Sequence, residues 1–409
     1  MSTEGTVRLL DDDELPAAAR LVSATMLGSV ERQVTDDWAE HWRGKVNHGA
    51  FQGGELAGVA RWFTADLSFA GPVLPAACVT AVAVASNHRR QGHLRRLMAE
   101  QLRSMVDAEV PVGLLVAAEW PIYGRYGYGP AVEACGFEID ARTARFTTLP
   151  TGSIELVEPA GLRRPLEAAH DARWRRTMGA ITRNASTWDR LSGVAAWPGD
   201  KAEPGQRRGA VWRDADGQPQ GAVAYSVHDS WTRNRPDGRI EVSLLVGATP
   251  EAERELWRHL CEVDWVSTVA AGVRGLDDPL PFFLHDARAA AALDRSDCIW
   301  ARILDLPRVI AARRSAVPGS VVVEVVDELG PAGGRWALEL GPDGASATST
   351  DRTAEVRLPV ATLGAACLGG ASLTRLHQAG WMDEDAPGAV ARLDALLRAP
   401  IAPWAPTTF

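Results

Sequence analysis

Apolar and polar positions recur with clear periods along most of the chain. Residues 7–10 form a short apolar run, and Asp11-Asp12-Asp13-Glu14-Leu15-Pro16 then supplies acidic and capping residues ahead of a helix over 17–26. A second helical piece over 35–42 carries Trp38 and Trp42. Residues 50–51 and 56–63, joined at Gly53-Gly54, read as a hairpin, and a loop over 67–74 follows. Next, Thr80, Val82 and Val84 alternate with Ala81, Ala83 and Ala85, a strand with one β-branched face and one small face. Residues 86–92 are polar and basic and end in Gly92. Leu94, Leu97, Met98, Leu102, Met105 and Val106 then recur at helical spacing, so a helix begins near Gly92. Residues 112–118 read as a short buried strand, and 131–146 alternate again.

The middle of the chain repeats this order. A strand over 154–157 and a helix over 163–178 precede strands over 209–214, 221–227 and 239–246. Thr249-Pro250-Glu251 is a helix start with proline in the first turn, and the helix runs to 263. No Arg-x-x-Gly turn follows the strand here, only Gly247-Ala248-Thr249-Pro250. After apolar stretches at 280–284 and 298–303, a helix starts at 306–310. Strands over 320–326, 334–340 and 354–358 follow, then helices over 359–368, 371–379 and 387–397. The expected organisation is α+β with three domains, 1–148, 149–297 and 298–409.

Length and composition agree with that division. A chain of 409 residues suits two or three domains at about 150 residues each. The balance of 43 basic and 52 acidic residues, net −9, argues against a nucleic-acid partner. An acidic surface also steers amines. The five cysteines, Cys78, Cys135, Cys261, Cys298 and Cys367, show no metal-ligand spacing. No metal is expected, and the thiols suit a reducing, cytoplasmic compartment. The opening residues 1–13 are polar and unlike a signal peptide, and no apolar run reaches a membrane span of roughly 20 residues.

Two stretches carry chemistry. The turn Arg89-Arg90-Gln91-Gly92-His93-Leu94-Arg95-Arg96 puts a helix N-terminus, a glycine and four arginines at the end of a strand. The first helical N–H groups lack internal partners and carry the positive end of the macrodipole, so a diphosphate is a natural guest. A solvated basic turn has the same composition. Further on, Ile122-Tyr123-Gly124-Arg125-Tyr126-Gly127-Tyr128-Gly129 holds three of the chain's four tyrosines.

The turn resembles motif A of the GNAT acetyltransferase superfamily, [Arg/Gln]-x-x-Gly-x-[Gly/Ala]. It matches at Arg89 and Gly92 and departs at Leu94, where the superfamily usually has a small residue. Combined with the Ile-Tyr-Gly cluster and the chain end, the pattern resembles the Eis family of amine acetyltransferases. That resemblance implies two GNAT-like α/β domains in tandem, the second degenerate, plus a sterol-carrier-protein-like domain, assembled as a homohexamer. It implies acetyl-CoA as cosubstrate, with Val82, Ala83 and Val84 bonding the pantetheine arm through backbone groups. Arg90, Gln91, Gly92, His93, Leu94 and Arg95 would hold the diphosphate, and Ala118 and Glu119 would sit beside the arm. It also implies that the early region of the chain helps wall the acceptor pocket. Asp36, Asp37, Trp38, Glu40 and Trp42 could hold a cation there by charge and aromatic faces, while solvated helix-surface carboxylates and core tryptophans have the same pattern.

The chain ends Pro400-Ile401-Ala402-Pro403-Trp404-Ala405-Pro406-Thr407-Thr408-Phe409, three prolines and two aromatics, unlike a floppy polar tail. By resemblance the terminal carboxylate of Phe409 is the base and Tyr123 the acid that protonates the departing thiolate. An alkylammonium has a pKa near 10.4 and must lose a proton before it attacks a thioester, so a base is needed. No cysteine lies in these motifs, which favours direct attack. The acceptor class is a primary amine: aminoglycoside-like, polyamine-like or a lysine side chain. The rival expectation is a non-catalytic lipid carrier or scaffold using the last domain.

Overall fold

In the computed structural model, which describes residues 5–196, 207–407 and 409, the alternating stretches of the first third pair into one sheet. Residues 1–4 of the polar opening stretch lie outside the described residues. The chain divides into two units. One contains the residues up to Val132, Asp297–Pro403 and Phe409, and the other contains Glu133–Ser296 with Trp404–Thr407.

In the first unit the sheet order is Thr6–Leu9, Val46–Gln52, Glu55–Ser68, Val73–Val84, Val112–Leu115, then the 300–303 end of strand Ala290–Ile303. The expected Gly53-Gly54 hairpin forms, with both glycines at positive φ. The stretch expected as a loop over 67–74 is instead a second hairpin, with Leu67 opposite Leu74 and Ser68 opposite Val73. Leu67 and Phe69 are buried, so the alternation carries on to a tight turn that Gly71 closes at φ +141°. Helix His93–Asp107 covers one face with Leu97, Met98, Leu102 and Met105. Helices Leu15–Thr25 and Arg32–Trp42 cover the other, packing against Val59 and Ala83.

The same unit contains a five-stranded sheet in the order Ala345–Ser349, Gly334–Leu340, Gly319–Val326, Val356–Pro359, Asp383–Glu384. Its first strand was not expected, because Ala-Ser-Ala-Thr-Ser has no apolar alternation and sits at an edge. The interior is filled by side chains such as Val321, Val323, Leu338, Leu358, Leu363 and Leu393.

In the second unit the order is the 133–140 part of Gly129–Asp140, then Val266–Gly275, Gly238–Gly247, Pro219–His228, Arg207–Arg213 and Ser153–Val157. Helix Pro250–Cys261 joins the parallel strands Gly238–Gly247 and Val266–Gly275, and Thr249 caps it by accepting from the Ala252 N–H at 3.1 Å. Among the described residues no helix is long and apolar enough to cross a membrane.

Candidate active site

Strands Val73–Val84 and Val112–Leu115 run parallel and pair at only four positions, Ala76–Val79 with Val112–Leu115. The second strand then ends, while the first continues to Val84. From Thr80 onward one backbone edge of the longer strand therefore lacks a strand partner among the described residues. A bulge falls at this point. Arg61 lies opposite Thr80 and Val59 opposite Ala83, so Ala60 alone faces Ala81 and Val82. Ala81 adopts φ +51°, a strained conformation for a residue with a Cβ. A bulge twists a strand and re-aims its polar groups, and here it turns the free edge at Val82, Ala83 and Val84. The side chains of that edge pack inward, and Ala83 is 4% exposed.

Beyond the edge, Arg90 at φ +64° and Gly92 at φ +81° are both left-handed. Gly92 is the N-cap of helix His93–Asp107, and among the described residues no side chain caps it. The first intrahelical bond is Arg96 N–H to Gly92 O at 3.1 Å, which leaves the N–H groups of His93, Leu94 and Arg95 without intrahelical acceptors. Arg90, Gln91, Gly92 and Arg95 are exposed. His93 differs, being 1% exposed with Nε2 2.7 Å from Gln52 Oε1 and Nδ1 3.0 Å from Arg96 Nη2. Burial, then the nearby charge of Arg96, lowers its pKa, so the ring is neutral and Nδ1 accepts from the guanidinium. Its imidazole and the Arg96 guanidinium brace the turn from inside, and only the His93 backbone N–H remains for a ligand.

Tyr123 ends a single helical turn, Trp120–Tyr123, and is 8% exposed. It packs in one cluster with Val79 and Leu115, the last strand pair, and with Val82 and Leu94. Burial, then the charge of Glu119, pushes its phenol up to about 12. Tyr126 is also raised by burial. Tyr128 is fully buried, its hydroxyl has no hydrogen-bond partner among the described residues, and its ring stands edge-on to Tyr123 with centroids 6.3 Å apart. Ala118 and Glu119 are exposed just past the strand end.

The glycines of this loop answer to the sterol-carrier-like part of the same unit. A Cβ on Gly127 would lie 2.6 Å from Arg302 Nε, and one on Gly129 would overlap the Ala361 carbonyl oxygen. Arg302 is itself fully buried and paired to Asp327 Oδ1 at 2.6 Å. Gly129→Ala is therefore expected to destabilise the protein by about 3 kcal/mol, read as a lower thermal midpoint, although position 129 touches no reacting group.

Phe409 sits elsewhere on the unit. Its ring is edge-on to Phe63, centroids 5.8 Å apart, and Lys45 Nζ is 5.7 Å from the Phe63 ring. Phe63 lies opposite Cys78, which pairs with Leu114, one step before the strands part. Trp62 packs in the cluster with Met98 and Tyr123. Phe63, its neighbour on the strand, points to the opposite face. Tyr123 and Phe409 thus occupy opposite faces at the level of the strand parting.

Of the acidic residues expected to hold an acceptor cation, Asp36 pairs with Arg32 at 3.4 Å and Glu40 with Arg43 at 2.7 Å on the surface. Sequence reading missed Arg61, 3% exposed with its guanidinium 5.0 Å from the Trp42 ring and lowered by burial to about 9. A lone arginine inside an apolar strand was its one signal.

Family models match in three places: an acetyltransferase (GNAT) domain over residues 6–131, a second over 179–303, and a sterol carrier protein domain over 306–406. These define a GNAT-type N-acyltransferase that carries a sterol-carrier domain. The chain is 39% identical over 368 residues to an uncharacterised N-acetyltransferase of Streptomyces avermitilis, covering 88% of each chain. It is 36% identical over 362 residues to N-acetyltransferase Eis of Mycobacterium tuberculosis, covering 86% of this chain and 85% of that one. Its structure matches Eis1 of Mycobacterium abscessus with a TM-score of 0.85 at 30% identity, over 99% of this chain and 100% of that one. The chain belongs to the Eis family of N-acetyltransferases.

Proposed function

We propose that the protein transfers an acetyl group from acetyl-CoA to a primary amine of aminoglycoside-like, polyamine-like or lysine type, by direct attack. One observation carries this: a free, bulged strand edge at 80–84 is bordered by an uncapped helix N-terminus and packs in one cluster with Tyr123. Backbone groups of Val82 to Val84 bind the pantetheine arm, and the N–H groups from Arg90 to Arg95 bind the diphosphate, helped by the exposed arginines.

The amine nitrogen attacks the thioester carbonyl carbon, the C–N bond forms and the C–S bond breaks. As the bond forms, the nitrogen becomes far more acidic than a free ammonium. The terminal carboxylate of Phe409, which reaches the gap between the parting strands from the face opposite Tyr123, takes its proton, directly or through one water. The departing sulfur takes a proton from Tyr123, which regains one from solvent. No thiol is poised to accept the acyl group: burial raises the Cys78 thiol and pushes those of Cys261 and Cys367 to about 12 and that of Cys298 to about 11.

A thiol-release assay with acetyl-CoA and an amine panel tests the reading. Release is expected only when an amine is present, and prior treatment of the native protein with iodoacetamide leaves it unchanged. No release with any amine, together with lipid retained on purification, would replace this reading with that of a lipid carrier. Assembly as a homohexamer and cytoplasmic residence belong to the same proposal, and sedimentation velocity checks the first.

A further inference from the structure

The second unit repeats the strand geometry of the first. Its parallel strands pair up to Val242 with Ala271. A register shift then falls between Val242 and Leu244, just past the last pair, as the bulge at Ala81 and Val82 follows Val79. Leu245 stands three residues beyond that pair, as Val82 does in the first unit. The two slots differ in what occupies them.

In the second unit the slot is filled from within. Arg274, 4% exposed, donates Nη1 to the Leu245 carbonyl at 3.2 Å, the strand-edge acceptor equivalent in position to Val82. Its other nitrogens meet Asp278 Oδ2 at 2.6 Å and Glu253 Oε1 at 3.5 Å. Glu253, on the first turn of helix Pro250–Cys261, also pairs with Arg173. The helix start that would face a diphosphate thus already holds a buried carboxylate.

Onto this plug the chain's last segment is seated. The Trp404 ring has the Arg274 guanidinium 4.8 Å from its centroid and that of Arg173 at 5.1 Å. Its Nε1 donates to the Val273 carbonyl at 3.0 Å, and its backbone N–H donates to Met178 O at 2.9 Å. Arg183 then donates to the Pro406 carbonyl and the Thr407 hydroxyl, each at 2.6 Å. Every one of these residues belongs to the second unit.

We infer that the second GNAT-like module has exchanged cofactor binding for tail binding. Its slot is closed by Arg274 and Glu253 and serves as the seat of Trp404, so Trp404, Arg274 and Arg173 are positioning residues for the carboxylate that follows at Phe409. The consequence for turnover rests on the proposed role of that carboxylate. A group on a free tether is diluted by the conformations of the tether, whereas one held next to an anchor acts at high effective concentration. With Thr407 fixed, one residue separates the anchor from Phe409.

The test uses the full-length protein with Trp404→Ala and Trp404→Phe. The first readout is release of Phe409 from the native protein by a carboxypeptidase. It is expected to be about tenfold faster or more in the alanine variant and close to wild type in the phenylalanine variant, which keeps a ring between the guanidinium groups. The second is kinetic: kcat is expected to fall about tenfold in the alanine variant, with the KM for acetyl-CoA within about twofold of wild type, and to recover in the phenylalanine variant. Unchanged release of Phe409 in the alanine variant overturns the anchor. Faster release with unchanged kcat upholds the anchor and removes the terminal carboxylate from the chemistry. Should the alanine variant not fold, Thr407→Val, which deletes one Arg183 bond, takes its place in both measurements. Faster release of Phe409 from that variant upholds the anchor, and unchanged release overturns it.

Discussion

Adding one residue after Phe409 is expected to lower kcat by about a hundredfold or more, with acetyl-CoA affinity unchanged. The extension converts the Phe409 carboxylate into an amide and moves the new terminus by about 3.5 Å. Proton transfer requires heavy atoms within about 2.6–3.2 Å or a single bridging water, so the displaced carboxylate cannot substitute. The Phe409 ring, edge-on to Phe63, holds the old terminus in place and gives the added residue no reason to return to it. The pH dependence separates a lost base from a damaged fold. Without its base the variant depends on hydroxide to take the proton that the nitrogen loses as the C–N bond forms. Its deficit should be largest near neutral pH and should narrow as the hydroxide concentration rises toward about pH 10. A uniform loss at every pH would indicate damage of another kind, and normal turnover would exclude the carboxylate.

Tyr123→Phe is expected to cost about a hundredfold in kcat, also with acetyl-CoA affinity intact. Removing the hydroxyl leaves the ring contact with Tyr128 and the packing beside Val79 and Leu115 in place, and deletes one proton donor. The sign of the pH effect follows from the phenol. Burial raises it to about 12, so the donating, neutral form persists through the whole alkaline range in which the amine deprotonates. Wild-type kcat/KM should therefore climb with pH and show no descending limb below about pH 11. A phenol left near its ordinary value of about 10 would impose such a limb. A thioester of a more acidic thiol needs less help in leaving, so the variant's deficit should shrink with such a donor. An equal deficit with every donor would assign Tyr123 a packing role.

Much of this architecture is written in local pattern. The helix starting at Gly92 follows from apolar spacing and a glycine able to sit at φ +81°, and the helix at Pro250 follows from Thr249 as N-cap. Those signals act within a few residues, through backbone geometry and hydrogen bonds to near neighbours, and survive being read one window at a time. Other features had no such signal. The left-handed Ala81 looks like any alanine in a strand, because a bulge is defined by the partner strand and not by the residue. His93 reads as one more basic residue in a phosphate turn, yet its ring is buried against Gln52.

Long-range packing accounts for the rest. Gly127 and Gly129 resemble loop punctuation until Arg302 and Ala361, far along the chain, are seen to fill the space a Cβ would take. Trp404 in a proline-rich tail asks for burial, but which surface receives it depends on Arg173, at a helix end, and Arg274, on a strand, meeting at one ring. Fold class, domain order and the basic turn at Gly92 were legible in residue order, since each rests on short-range spacing, and the family was legible through the resemblance of its motifs. The free strand edge, the closed second slot and the seat of the tail exist only once distant segments pair, because each is a relation between surfaces that residue order does not bring together.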